Sequence, residues 1–158
     1  MMRNIILIAL EQEAPNMAKW DNVFFTGVGK VNAAIEFCKA AAGEKHPKTI
    51  INYGSAGSLT AGLSGIHEVT KFVQRDMDAR AIGFELGQTP FEDDIEIDLG
   101  RYGLSCGTGD SFVNDMPEFR TDLVDMEAYA IAKICYLKDI KFKCFKYVSD
   151  NADADAND

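Results

Sequence analysis

Residues 4–10 read Asn-Ile-Ile-Leu-Ile-Ala-Leu, and Glu11-Gln12-Glu13 follow at once. An unbroken apolar run of this length reads as a β-strand covered on both faces, as in a sheet with helices packed on it. The acidic turn ends it. The same order of strand, small or polar turn, then polar residues recurs along the chain. Residues 23–26 (VFFT) form a short strand before Gly27-Val28-Gly29-Lys30, and a helical pattern follows. In it Val31, Ala34, Ile35 and Cys38 fall at i, i+3, i+4 and i+7, an apolar stripe of the kind that faces a core. That helix stops near Gly43, ahead of His46-Pro47.

Residues 49–53 (TIINY) are the next buried strand, running into a turn at Gly54-Ser55-Ala56-Gly57. Residues 69–74 read as a strand. Residues 94–99 (DIEIDL) alternate acidic and apolar side chains, the mark of an exposed or edge strand. Residues 104–106 are short and apolar before Gly107-Thr108-Gly109-Asp110. Residues 125–137 (DMEAYAIAKICYL) are the clearest second helix, and 142–148 (FKCFKYV) the last strand, ending at a Ser149-Asp150 turn. The expected fold class is α/β: one domain over residues 1–150, a mixed, mostly parallel twisted sheet flanked by helices. Residues 151–158 form an acidic tail. Ligands bind α/β sheets at the carboxyl ends of strands. The turns at 11–13, 27–30, 54–57, 107–112 and 149–153 are therefore expected to converge.

Composition narrows the function. The chain has 158 residues, 16 Lys plus Arg, 25 Asp plus Glu, a net charge of −9 and 47% hydrophobic residues. The composition suits a folded domain rather than a disordered one. The charge repels DNA and anionic lipid, so neither nucleic acid nor membrane is an expected partner. No apolar run approaches the ~20 residues that span a bilayer. Cys38, Cys106, Cys135 and Cys144 lack metal-ligand spacing and sit in apolar segments, so buried free thiols in a reducing, cytoplasmic setting are expected.

Each turn admits a plain and a chemical reading. Gly27-x-Gly29 lacks the third glycine of a dinucleotide fingerprint, so a tight turn with close backbone approach is favoured over a phosphate cradle. Of Glu11 and Glu13, one is expected in solvent. The other could act on water as a base. Asp125-Met126-Glu127 opens the second helix, where acidic residues suit the helix dipole or could grip vicinal hydroxyls. Ser149-Asp150, with Asp153 behind, reads as a cap or as a general acid. His46 and His67 stand near no nucleophile elbow, and His46 looks like a surface-loop residue.

Seven segments carry a resemblance: 9–13 (ALEQE), 27–34 (GVGKVNAA), 51–57 (INYGSAG), 76–88 (DMDARAIGFELGQ), 109–113 (GDSFV), 124–128 (VDMEA) and 148–153 (VSDNAD). In this order they resemble the 5′-methylthioadenosine/S-adenosylhomocysteine nucleosidases of the nucleoside phosphorylase superfamily, in a trimmed form. The stretches 14–26 and 88–107 are shorter than in that family, little chain follows Asp150, and Lys146 stands where the family often has arginine.

The resemblance implies hydrolysis of an adenine nucleoside with release of adenine. Asp150 would be the general acid that protonates the purine, and Glu13 would orient and deprotonate water. Glu127 would bind the ribose hydroxyls. Met126 and Phe112 would line the sugar and base, and the Val113 backbone would read adenine. Ser55, Val28 and Ser149 would complete the substrate site. Ile82 and Phe84 would be lent to a neighbour's pocket in a homodimer. No metal or organic cofactor is implied. Two further readings stay open: a non-catalytic adenine-nucleoside binding protein, and a purine nucleoside phosphorylase or a nucleosidase for another purine compound. The acidic turn at Glu11 and Glu13, without arginine, argues for water over phosphate as the nucleophile.

Overall fold

The structure is a computed structural model that describes residues 3–43 and 47–151, with side chains as far as Val148. The elements run β1 (Asn4–Ile8), β2 (Val23–Phe25), α1 (Lys30–Ala41), β3 (Thr49–Ser58), β4 (Gly65–Gln74), β5 (Glu96–Asp98), β6 (Leu104–Thr108), β7 (Leu123–Asp125), α2 (Ala128–Lys138) and β8 (Phe142–Asn151). Single 3-10 turns lie at Glu11–Glu13, Pro15–Met17 and Arg80–Ile82.

The strands make one mixed sheet, and the expected α/β class holds. β1 pairs β2 and β3 in parallel, β3 pairs β8 in parallel, and β6 pairs β4 and β7 in parallel. The antiparallel pairs are β3–β7, β4–β5 and β4–β8. The two longest inner strands change partners along their length. β4 runs against β8 over Gly65–Val69 and beside β6 from Val69 to Gln74. β3 lies beside β8 throughout and meets β7 at Gly57 and Ser58. The pairings β3–β7–β6–β4–β8 therefore close into a circuit, with β2 and β5 left at the ends. β5, the alternating acidic segment, is an edge strand as expected.

This pairing corrects two turn assignments. Gly54, Ser55, Ala56 and Gly57 are not a turn but the second half of β3, and Ser149-Asp150 lies within β8. Small residues that would be free to turn are held extended because β8 hydrogen-bonds alongside them. The register slips between Ala56 and Gly57, where Val148 and Asp150 are consecutive partners and Ser149 is the extra residue of a bulge. Bulges re-aim a strand and occur beside functional sites.

β1 buries Ile5, Leu7 and Ile8 completely, as its apolar run predicts. Ile5 and Leu7 join Ile50, Val69, Phe72, Leu123 and Phe142 in one core. α2 covers this core with Ala128, Tyr129, Ile131, Ala132 and Cys135. α1 departs from expectation. Its buried residues are Ala33 and Phe37, while Val31 is 69% and Ile35 52% exposed. The helix carries two apolar stripes, and the one with a large aromatic and small alanines packs on the sheet. Cys38 lies on the outer stripe, so this thiol is exposed, whereas Cys106, Cys135 and Cys144 are buried and free. Burial pushes the Cys135 and Cys144 thiols up to about 12, so they are unreactive thiols. His46 and Asp153 lie outside the described residues. Among the described residues no helix is long and apolar enough to cross a membrane.

Candidate active site

β1 delivers the first carboxylate. The backbone turns over at Glu11–Glu13, and Glu13 folds back so that its Oε2 accepts the Leu10 amide at 3.0 Å. Its Oε1 accepts the Ser55 hydroxyl at 2.7 Å and the Ser55 amide at 3.3 Å. Glu11 faces solvent, so one of the two glutamates is exposed, as expected. Glu13 approaches β3 beside Gly54, where a side chain would still make only ordinary contact. A Cβ there would stand 3.5 Å from the Lys146 ammonium and 3.7 Å from both Glu13 carboxylate oxygens.

The second carboxylate sits where α2 begins. Asp125 is not in the helix, as the sequence pattern predicts, but ends β7, and Glu127 is the N-cap. Asp125 accepts the Glu127 amide at 3.2 Å and the Ala128 amide at 2.7 Å, so the helix-dipole role belongs to Asp125. It also receives the Thr108 hydroxyl and lies 3.1 Å from Lys146 Nζ, both side chains of the pair being 1% exposed. Burial works against the Asp125 charge, but Lys146, Thr108 and the Ala128 amide hold the carboxyl below its ordinary value. Burial likewise opposes the Lys146 charge, and Asp125 lifts it above its ordinary value.

Glu127 has the opposite balance. Burial, with Asp125 as a near like charge, pushes its carboxyl from 4.5 up to about 7, against the pull of the Gly29 amide and Lys146. Its Oε2 accepts the Gly29 amide at 2.8 Å. Gly27 and Gly29 have φ of +80° and +100°, and the turn at 27–30 is the tight turn the plain reading expects. The next amide, of Lys30, donates to Asp110 Oδ1 at 2.8 Å. The first donors of α1 are thus taken by carboxylates, and no phosphate cradle is open there.

These elements enclose a cavity of about 270 Å³. Among the residues expected from sequence, Glu13, Val28, Ser55, Phe112, Val113, Met126 and Glu127 line it together. Gly57, the register partner of Asp150, lines it too. The side chains of Ser149 and Asp150 lie outside the described residues. Ile82 and Phe84 do not reach this chain's cavity. Ile82 is 70% exposed, and Phe84 stacks edge-on with the exposed Phe91 at 5.2 Å. His67 is placed far from this chemistry in role, its Nε2 2.8 Å from the Ser64 carbonyl oxygen. Among the described residues no group of His, Cys, Asp and Glu has the geometry to hold a metal.

Sequence reasoning missed Arg75, which lines the cavity from the end of β4. It also missed the link from Lys30 to Asp76 (2.7 Å) and Asp110 (3.7 Å), which ties the 27–30 turn to the loop after β6. No local pattern marks either, because their partners lie tens of residues away.

No protein-family model matches the chain. Among curated proteins, the 5′-methylthioadenosine/S-adenosylhomocysteine nucleosidase of Staphylococcus saprophyticus is 34% identical, the match covering 83% of this chain and 68% of that protein. Its Staphylococcus carnosus counterpart is 36% identical over 84% and 69%. Among solved structures, Helicobacter pylori futalosine hydrolase superposes with a TM-score of 0.86 at 21% identity, covering 99% of this chain and 88% of that one. The Streptococcus pyogenes S-adenosylhomocysteine nucleosidase, in complex with 5-methylthiotubericidin, gives 0.81 at 24% identity, over 99% and 86%. The solved structures establish the fold and the curated relatives the family: this chain belongs to the 5′-methylthioadenosine/S-adenosylhomocysteine nucleosidases.

Proposed function

We propose that the chain hydrolyses the N-glycosidic bond of 5′-methylthioadenosine, S-adenosylhomocysteine or a related adenine nucleoside and releases adenine. The observation that carries this reading is the placing of Glu13 and Glu127 in one cavity, with the Glu13 carboxylate steadied by Ser55 and the Leu10 amide. In this reading the bond between C1′ and the purine breaks, and its electron pair leaves with adenine. Asp150 donates a proton to that purine as it departs. The sugar gains oxocarbenium character, and water adds at C1′ while Glu13 takes its proton. Glu127 accepts the ribose hydroxyls, which needs its ionised form. Phe112, Met126 and Val28 pack the base and sugar, the Val113 backbone reads adenine, and Ser149 completes the site.

Phosphate fits less well as the nucleophile. Lys146 is bound to Asp125, Arg75 donates to backbone carbonyls, and the α1 amides are occupied by Glu127 and Asp110. The protein is further proposed to work as a homodimer in the cytoplasm. Val31, Ala34, Ile134 and Leu137 line an open apolar groove between α1 and α2, and Ile82 is exposed and free to reach a second copy. The three buried free thiols fit a reducing compartment.

One assay tests this. Adenine release from methylthioadenosine in phosphate-free buffer is expected from the wild type and abolished in Asp150→Asn and Glu13→Gln. Specific activity is expected to fall on dilution as the dimer dissociates. Strict dependence on phosphate would replace the reading with a phosphorylase, and binding without turnover would replace it with a binding protein.

A further inference from the structure

We propose that Arg75 is the positioning residue for adenine, the template on which the loop carrying Phe112 and Val113 is folded against the cavity. This rests on the adenine-nucleoside reading above.

The loop after β6 holds two of the proposed base contacts but has little to hold itself. Residues 109–116 form no helix or strand and are mostly exposed, Phe112 by 60%. A segment with few buried contacts takes its shape from whatever its backbone is bonded to. Asp76 accepts the Asp110 amide at 2.9 Å, Lys30 holds the Asp110 carboxylate, and the Asp125 carbonyl accepts the Gly109 amide at 3.2 Å. The segment's own carbonyls and the Ser111 hydroxyl, however, are held by one side chain, Arg75. Arg75 is only 9% exposed, and its Nε donates to the Gly107 carbonyl at 3.1 Å. Nη1 donates to the Ser111 hydroxyl at 3.2 Å. Nη2 faces the carbonyls of Ser111 at 2.7 Å, Gly109 at 3.3 Å and Asp125 at 3.3 Å. The last contact binds the loop to β7, directly before Met126 and Glu127.

The glycines of the loop complement this arginine. A Cβ on Gly109 would stand 2.7 Å from Nη1 and 2.8 Å from Cζ, closer than atoms pack. A Cβ on Gly107 would lie 3.0 Å from the Thr121 Oγ1 and 3.3 Å from the Arg75 Cβ. Gly109 therefore leaves room for the planar guanidinium lying along the loop. A lysine at this position keeps the charge, but its single ammonium cannot span carbonyls set around a fork. The loop would then have to be ordered by the base itself, at a cost to binding.

The test is calorimetric titration of free adenine and of 5-methylthioribose, the two products of the proposed cleavage, into wild type and Arg75→Lys. Thermal unfolding of both proteins is followed alongside. Arg75→Lys is expected to weaken adenine by about tenfold, since ordering the loop side chains on binding is costly, and to leave the sugar within twofold. A purely structural role would weaken both ligands together, and that result overturns the proposal. Equal adenine affinity in the two proteins overturns it as well. If neither protein binds adenine, the adenine reading and the proposal fall together. Should Arg75→Lys not fold, Ser111→Ala removes one exposed acceptor of the guanidinium. It is expected to weaken adenine about threefold, in line with one lost hydrogen bond, again sparing the sugar, and unchanged adenine affinity would overturn the proposal.

Discussion

The two helices begin in the same way and are capped in opposite ways. In each, the N-cap amide and the next one are taken by carboxylates. At α2 both donors, of Glu127 and Ala128, go to Asp125, two and three residues back in the chain. At α1 the donors of Gly29 and Lys30 go to Glu127 and Asp110, 98 and 80 residues away. The first arrangement is local and can form with its own helix. The second exists only when the sheet is assembled, and it draws three strand ends to one point. Glu127 belongs to both, as N-cap of one helix and acceptor at the other. The proposed ribose carboxylate is thus fixed by the packing of the whole molecule.

The contrast is most sharply tested at Lys146. Lys146→Met leaves the Asp125 carboxylate buried without its cation, and breaking a buried pair costs roughly 3–5 kcal/mol. Denaturant unfolding at neutral pH is expected to register a loss of that size. A loss under 1 kcal/mol would mean that the amides and Thr108 alone hold Asp125. Next in size is a pH effect at Glu127. Its folded value of about 7 lies above its ordinary 4.5, so the folded state holds the proton more tightly. The Glu127 contribution to stability is full below 4.5 and is lost, by roughly 3 kcal/mol, as pH rises through 7. Glu127→Gln, which cannot ionise, is expected to stay level across that window while losing nucleoside affinity. Unfolding at pH 4.5 and 8.5 gives the comparison. The smallest effect belongs to Asp110→Asn, which keeps a polar acceptor at the start of α1 but removes its charge. It is expected to cost roughly 0.5–1 kcal/mol, most of it lost in high salt.

The local half of this contrast is what the amino-acid order made readable. β1, the edge strand β5 and the body of α2 follow from runs, alternation and apolar content. The acidic start of α2 is legible too, displaced by three residues, because β7 takes Asp125 before the helix begins at Ala128. Non-local features were not. Gly54 to Gly57 look like a turn until β8 pairs beside them. α1 has two apolar stripes, and nothing in its spacing says that Phe37 rather than Ile35 meets the sheet. Within the site, seven of the expected side chains share one cavity, because motif segments end strands whose tips converge. Arg75 remained hidden, since its partners are distant backbone carbonyls, which every sequence possesses, and one serine hydroxyl.

The position of β8 has a consequence for how the molecule comes into being. It is the last of the described strands, yet it lies between β3 and β4 and completes the circuit of pairings. β3 ends at Ser58 and β8 begins at Phe142. At ~5–20 residues per second of synthesis, roughly 4–17 s separate the two. Throughout that interval β3, and β4 once it has been made, carry unpaired edges toward the place β8 will fill, so the nascent chain is open to wrong strand partners until nearly all of the described fold has been made.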